Sequence, residues 1–209
     1  MKKSFTLIEL IFSMVIIAMA FTVLPKILQV SARVSTQSIK EEALYSGVAL
    51  MWYIQASAWD ENNTEYDDIL IVSNGDSEYD CNNTTHLRNG GFVGSRNCKN
   101  DIYASNLGKD SDDNGLNDDV DDFTSYKVSN YNNSRDYNLS VKVNYVDDMN
   151  LSEENFKTSI KSSSTNTKYI VIDINSTNSK KTSGKNIAQL KLWMFNIGQI
   201  QINRIPWYE

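Results

Sequence analysis

Residues 5–24 read FTLIELIFSMVIIAMAFTVL, an almost unbroken apolar run that follows Met1-Lys2-Lys3-Ser4 and ends at Pro25. Twenty residues of α-helix are about 30 Å long, which is enough to cross the hydrocarbon core of a bilayer. No small-residue cleavage site follows the run, so it differs from an ordinary cleaved secretory signal. Because two lysines precede the run, the sequence predicts a retained single-pass anchor whose amino terminus lies in the cytoplasm.

Beyond this run the chain is polar and acidic. The whole chain has 209 residues, with 20 Lys and Arg against 26 Asp and Glu, so its formal net charge is −6. Such a chain lacks the broad basic surface that would neutralise a nucleic-acid backbone, and we expect no direct nucleic-acid binding. The single histidine, His86, and the two cysteines form neither a zinc-ligand cluster nor an ordered catalytic set. The sequence therefore predicts a protein that is not an enzyme.

Glu9 is the informative residue of the apolar run. A carboxylate within an apolar membrane helix costs about 2.5 to 3.5 kcal/mol on insertion scales, so a compensating partner is expected. The alternative is that Glu9 reaches the headgroups or is protonated, in which case it needs no partner. The residues on either side of Glu9 help to decide whether it has a compensating partner.

The octapeptide Lys3-Ser4-Phe5-Thr6-Leu7-Ile8-Glu9-Leu10 resembles the processing site of type IV pilins and of the related pseudopilins of type II secretion and DNA-uptake systems. The resemblance implies that a prepilin peptidase cleaves between Ser4 and Phe5, and that the new amino terminus is methylated. It also implies that Glu9 pairs with the terminal amine of Phe5 in a neighbouring subunit during assembly. Ser4 stands where the family usually has Gly.

The same resemblance implies a fold, a location and partners. Pilin-like proteins have an α+β fold, in which a long N-terminal helix, transmembrane in its first half, packs on a C-terminal antiparallel β-sheet. We therefore expect a single-pass inner-membrane protein whose globular domain lies in the periplasm or is assembled on the cell surface. The expected partners are other pilin or pseudopilin subunits, the prepilin peptidase, the inner membrane and the assembly platform.

Two functions remain open at this point. The first is a minor pseudopilin, a structural subunit that assembles into a periplasmic, type IV-like filament for secretion or DNA uptake. The second is a membrane-anchored, calcium-dependent binding or adhesion domain that does not polymerise. Only the first requires Glu9 for assembly, so a substitution at this position distinguishes them.

The hydrophobic pattern divides the chain into segments. Beyond Pro25, apolar residues continue at helical spacing, and Leu44, Val48, Met51 and Ile54 are predicted to face a sheet. Turn residues then dominate, and four stretches typical of antiparallel strands follow. A helix followed by strands is typical of an α+β fold. The predicted segments are a cleaved leader at 1–4, a transmembrane and filament-core helix at 5–25, its amphipathic continuation at 26–59, a loop-rich region at 60–126 and the sheet at 127–209.

The acidic segment DSDDNGLNDDVDD, residues 110–122, predicts a calcium loop. Its seven carboxylates, with no cation among them, need either full solvation or a bound cation. Oxygen-bearing residues recur at alternate positions around Gly115, as a hard cation requires, and the segment resembles the Asp-x-Asp-x-Asn-Gly loops of extracellular modules. A solvated acidic turn is the alternative, and an offset register would use Asp119 and Asp122. The predicted ligands of a structural calcium ion are Asp110, Asp112, Asn114, the Leu116 carbonyl, Asp118 and Asp121.

Cys81 and Cys98 both fall in the loop-rich region. An exported domain lies in an oxidising compartment, so a disulfide between these residues is expected. Closing a loop of this size contributes about 3 kcal/mol in the chain-entropy model. Two free, buried thiols are the alternative.

Overall fold

A computed structural model describes residues 6–66, 68–92, 96–98, 101–109, 117–128, 137–150, 152, 155–177 and 186–198 of the chain. Helix α1 (Leu7–Ala56) comes first, and an antiparallel sheet occupies the C-terminal half of the described chain. The chain divides into two compact units, of which the first ends at Glu42 and the second begins at Ala43. The α+β class predicted from the sequence is confirmed.

In the first unit, the described residues 7–42 all belong to α1, and nearly all of their side chains are exposed. The helix continues through Pro25. By length and composition α1 can cross a membrane, and its most apolar stretch is not buried within the described chain. This unit is therefore compatible with the predicted single-pass anchor.

The second unit contains a sheet of five antiparallel strands. Its order is β1-β2-β4-β5, with β3 pairing separately with β2. The three ten-residue strands are joined by long ladders, and the β4–β5 register shifts between Ile174 and Asn175. Valine, isoleucine and tyrosine dominate β2 and β4, as expected for strands with a buried face. The strand bounds are β1 (Lys127–Val128), β2 (Tyr137–Val146), β3 (Ile160–Lys161), β4 (Thr167–Ser176) and β5 (Asn186–Phe195).

The last turns of α1, from Ala43 onward, pack on this sheet. Ile54 joins the main core, with Leu50 and Met51 packed against it. Ala43 and Gly47 are buried on the same side of the helix. A Cβ added to Gly47 would lie 2.5 Å from Ile174 Cδ1, so the helix backbone approaches β4 closely here. The other buried members of the core are Val120, Phe123, Val141, Val143, Ile170 and Ile172.

The predicted sheet-facing side of the helix is correct in part. Ile54 is fully buried and Met51 partly buried, whereas Leu44 is 41% exposed. The prediction of Leu44 was wrong because the buried stripe begins with two small residues, Ala43 and Gly47, which let the helix approach the strands. A prediction based on the spacing of large apolar side chains does not identify small buried residues such as alanine and glycine.

The described part of residues 57–126 has little regular structure but makes many backbone contacts. It contains helix α2 (Asn62–Glu65) and 3₁₀ turns at Ser77–Tyr79 and Asp121–Phe123. Single bridges join Ala58 to Asp119 and Ile71 to Tyr103. A second hydrophobic cluster, formed by Trp59, Leu70 and Tyr145, attaches this region to the sheet.

Candidate functional site

Glu9 lies in the first turns of α1, where its side chain is exposed. The Thr6 hydroxyl donates to Glu9 Oε2 over 3.5 Å, and the Ser13 hydroxyl donates to the Glu9 carbonyl over 2.7 Å. Among the described residues, no cation lies within ion-pair distance of the Glu9 carboxylate. Ser4 and Phe5, the predicted processing residues, lie outside the described residues. Cleavage and the role of Glu9 therefore stay predictions.

The predicted calcium loop is described only at its C-terminal end. Asp110, Asp112, Asn114 and Leu116 lie outside the described residues, and the description resumes at Asn117. No group of three or more His, Cys, Asp or Glu side chains within the described ranges converges on a metal position. The calcium set therefore remains a prediction.

The described end of this segment folds back on itself. Asp119 Oδ1 accepts from the backbone N–H groups of Asp121 and Asp122, at 2.7 and 3.0 Å. The Asp118 N–H donates to Asp122 Oδ2 over 3.2 Å. These bonds hold Asp119, Asp121 and Asp122 in the domain interior, where each is at most 1% exposed.

Asp119 and Asp121 differ in whether both of their carboxylate oxygens have partners in the described structure. Asp119 Oδ2 and the nearby Asn117 Oδ1 are buried without a hydrogen-bond partner in the described structure. Burial, reinforced by the negative charge of Asp121, raises the pKa of Asp119 to about 8. Asp121, in contrast, uses both oxygens within the protein, because Oδ1 lies 2.6 Å from Lys168 Nζ and Oδ2 accepts from the Ser105 hydroxyl.

Asp121 belongs to a buried polar centre built around Lys168. The Lys168 side chain is fully buried, and its Nζ lies 2.6 Å from Asp121 Oδ1 and 3.3 Å from Asp60 Oδ2. Nζ also donates to the Trp59 carbonyl over 2.6 Å. The rings of Trp59 and Tyr145 flank the ammonium group, with centroids at 4.1 and 5.3 Å. A buried charge of this kind needs such partners, because desolvating an unpaired ammonium costs several kcal/mol.

Ser105 connects the two carboxylates of this centre. Its backbone N–H donates to both oxygens of Asp60, at 3.1 and 3.0 Å. Its hydroxyl donates to Asp121 Oδ2 over 3.1 Å, and its carbonyl accepts from the Tyr145 hydroxyl over 3.1 Å. Burial raises the pKa of Asp121, and the Lys168 ammonium opposes that rise. Burial also raises the pKa of Tyr145, so this hydroxyl remains a donor.

This centre is not among the sites predicted from the sequence. Lys168 is the second residue of β4, and it shares its face of the strand with Ile170 and Ile172. The position of Lys168 on the inward-facing side of the strand was the available signal of a buried ion pair, because a lysine there needs a buried anion. Its partner Asp60 is 108 residues away in the chain, so no local pattern identified it.

Cys81 and Cys98 form a disulfide with a Cα–Cα distance of 6.4 Å, which confirms the predicted pair. Inside the loop they close, the Arg88 guanidinium donates to the Asn196 carbonyl and to Asn166 Oδ1, each over 2.5 Å. Burial lowers the pKa of Arg88 to about 10. The loop is thus fastened to the residues that flank β4 and β5.

An open cleft of about 670 Å³ lies beside the disulfide. Polar groups dominate its wall, including Tyr79, His86 and Asp101, while Leu70 and Val72 supply apolar area. Such a mixture can hold a small polar molecule or a peptide side chain. His86 is therefore part of a cleft wall, without a catalytic partner among the described residues.

Comparison with known families identifies the N-terminal segment. Residues 1–25 match the prokaryotic N-terminal methylation motif, the prepilin signature of type IV pilins and pseudopilins. This match confirms the resemblance seen in Lys3–Leu10. Searches of curated proteins and of solved structures gave no significant match to this chain.

Proposed function

We propose that this protein is a pilin-like structural subunit that polymerises through its N-terminal helix. The observation that carries the proposal is the prepilin signature at residues 1–25. The signature includes the start of α1, an exposed apolar helix whose last turns pack on an antiparallel sheet. In this proposal, the leader is removed between Ser4 and Phe5, the apolar helix forms the filament core, and the sheet domain lies outside the membrane.

Glu9 has a defined role in this proposal. A carboxylate that has no cation within ion-pair distance in its own described chain is costly in lipid, and a neighbouring subunit's Phe5 amine would neutralise it. Each subunit would then offer one carboxylate and one amine, which gives a head-to-tail contact that repeats along a filament. Glu9 thus sets the register between successive subunits.

The finer proposal is a minor pseudopilin of a secretion or DNA-uptake filament. The region between helix and sheet supports it, because the described part of residues 57–126 is held by its own disulfide, bridges and hydrophobic cluster. In a filament packed through the helix and the sheet, this region would provide an additional surface.

We also propose that the acidic segment binds structural calcium. The proposed ligands are Asp110, Asp112, Asn114, the Leu116 carbonyl, Asp118 and Asp119, and the unpartnered Asp119 Oδ2 supports this set.

Substitution of Glu9 tests the polymerisation. Glu9→Ala should leave the protein in the membrane fraction, since it removes a charge from an apolar helix, but should prevent its recovery in sheared filaments. Glu41→Ala is the matched control, because Glu41 is an exposed carboxylate of the same helix beyond the apolar run. Filament yields should then match wild type.

The second candidate function is the anchored calcium-dependent binding domain that does not polymerise. The cleft beside Cys81–Cys98 favours it, because the cleft provides a concave polar surface independent of the helix. If Glu9→Ala and Glu41→Ala give equal filament incorporation, or if wild type forms no filament with its assembly machinery present, this second function replaces the first.

A further inference from the structure

The Lys168 centre holds an amine against a carboxyl group in a geometry that suits covalent bond formation. Lys168 Nζ and Asp121 Oδ1 are 2.6 Å apart, and both side chains are fully buried. A nucleophile fixed in contact with its electrophile reacts as if at a very high local concentration, of the order of 10⁵ M or more in well-oriented cases. The fold therefore supplies the proximity that a condensation between these groups requires.

The surroundings favour a neutral product over a buried ion pair. The rings of Trp59 and Tyr145 flank Nζ at 4.1 and 5.3 Å, and the centre has no solvent exposure at Lys168, Asp60 or Asp121. In such an environment, replacing the buried ion pair by a neutral amide removes the cost of burying two charges. Exclusion of water also protects an amide, once formed, from hydrolysis.

Two further groups are placed to assist the reaction. The Ser105 hydroxyl donates to Asp121 Oδ2 over 3.1 Å, so it polarises the oxygen that would remain as the carbonyl. Asp60 Oδ2 lies 3.3 Å from Nζ, close enough to accept a proton from the attacking nitrogen. The backbone N–H of Ser105 fixes the Asp60 carboxylate in this position.

We propose that Lys168 and Asp121 form an intramolecular amide bond. Nζ attacks Cγ of Asp121, and Oδ1 leaves as water while Oδ2 becomes the amide oxygen. The ammonium gives up two protons, both of which leave in that water molecule, so the ion pair becomes a neutral amide plus water without an oxidant, a reductant or any other reactant. Asp60 carries a proton from Nζ to Oδ1 and is regenerated.

The bond would link the segment before β1 to β4. It would fix Asp121, and through Ser105 and Asp60 the residues after α1, to the central part of the sheet. Lys142 and Asp173 form the internal comparison on the same sheet. Their ion pair is 3.2 Å long but the lysine side chain is 66% exposed, so it remains hydrated and should not condense.

Mass spectrometry of the full-length chain tests the proposal. Detergent-purified, disulfide-reduced wild type should be lighter by one water molecule than expected from Lys168→Arg produced in the same cells, after correction for the substitution. Arginine keeps the buried charge but cannot form this amide. Trypsin does not cleave after an acylated lysine, so peptide 162–180 should appear intact and joined to peptide 110–127. Fragmentation should place the link at Asp121.

The controls separate the proposal from its alternatives. Asp60→Asn should retain the fold by circular dichroism and accumulate unlinked chain. Wild type that yields peptides 162–168 and 169–180 separately, with no loss of water, would overturn the proposal. A link from Lys168 to peptide 41–88, which contains Asp60, or to another aspartate of 110–127 would overturn the assignment of Asp121 as the acceptor.

Discussion

Removal of the Lys168 amine should destabilise the sheet domain far more than removal of any surface lysine. In Lys168→Met, Asp121 and Asp60 lose the cation that lies 2.6 and 3.3 Å away in the unlinked wild-type chain, which is the reference here, and both carboxylates remain fully buried. Breaking a buried ion pair by removing one partner costs about 3 to 5 kcal/mol, because the other charge is left without compensation. For a domain of this size, each kcal/mol lowers Tm by about 2 to 4 °C, so the expected loss is about 6 to 20 °C.

The assay is urea and thermal unfolding of the full-length variants in detergent, with the loss of the sheet monitored by circular dichroism. Lys142→Met is the matched control, since Lys142 pairs with Asp173 over 3.2 Å at the protein surface. An exposed pair contributes about 0 to 1 kcal/mol, so this variant should unfold close to wild type. Equal losses in the two variants would refute the reasoning that burial of the Lys168 centre makes it a major contributor to stability.

Three other predictions follow from the acidic segment and the disulfide. Removal of calcium with EDTA should expose the segment before β1 to proteolysis, and an unchanged digestion pattern would contradict the calcium proposal. In EDTA, wild-type stability should fall as the pH rises from the ordinary carboxyl pKa of 3.8 towards about 8, because folded Asp119 retains a proton that the unfolded chain releases. The slope should be at most about 1.4 kcal/mol per pH unit, and it should be smaller in Asp119→Asn, so parallel curves for the two proteins would contradict the burial argument. The double variant Cys81→Ser/Cys98→Ser should lose about 2 to 4 kcal/mol in urea unfolding, and no loss would indicate that non-covalent contacts such as those of Arg88 hold the loop without the disulfide.

The sequence was sufficient for the features that depend on local pattern. Strands β2, β4 and β5 alternate apolar and polar residues or are rich in β-branched residues, and the predicted stretches coincide with them. The prepilin signature depends on contiguous residues around Glu9 and was likewise readable. The disulfide could be predicted because an exported domain lies in an oxidising compartment and the chain has only two cysteines.

Features that depend on contacts between distant residues could not be predicted. Strand β3 has two residues and exists only because Ile160 and Lys161 meet the end of β2. The Lys168 centre requires Asp60, Ser105 and a turn of the acidic segment to meet at one strand, and no local pattern indicates that these residues meet. The acidic segment itself suggested solvation or a cation, whereas part of its charge is compensated by a lysine from the sheet.

The position of Trp59 gives the protein an intrinsic optical reporter. Its indole ring is 2% exposed and lies 4.1 Å from the Lys168 nitrogen, so the ring experiences the electric field of any charge on that nitrogen. Replacing an ammonium by a neutral group would change that field and shift the absorption and emission bands of Trp59. Trp52, Trp193 and Trp207 also emit, so a variant with phenylalanine at these three positions would report on Trp59 alone. The chemical state of one buried side chain can thus be followed spectroscopically in real time, without a label.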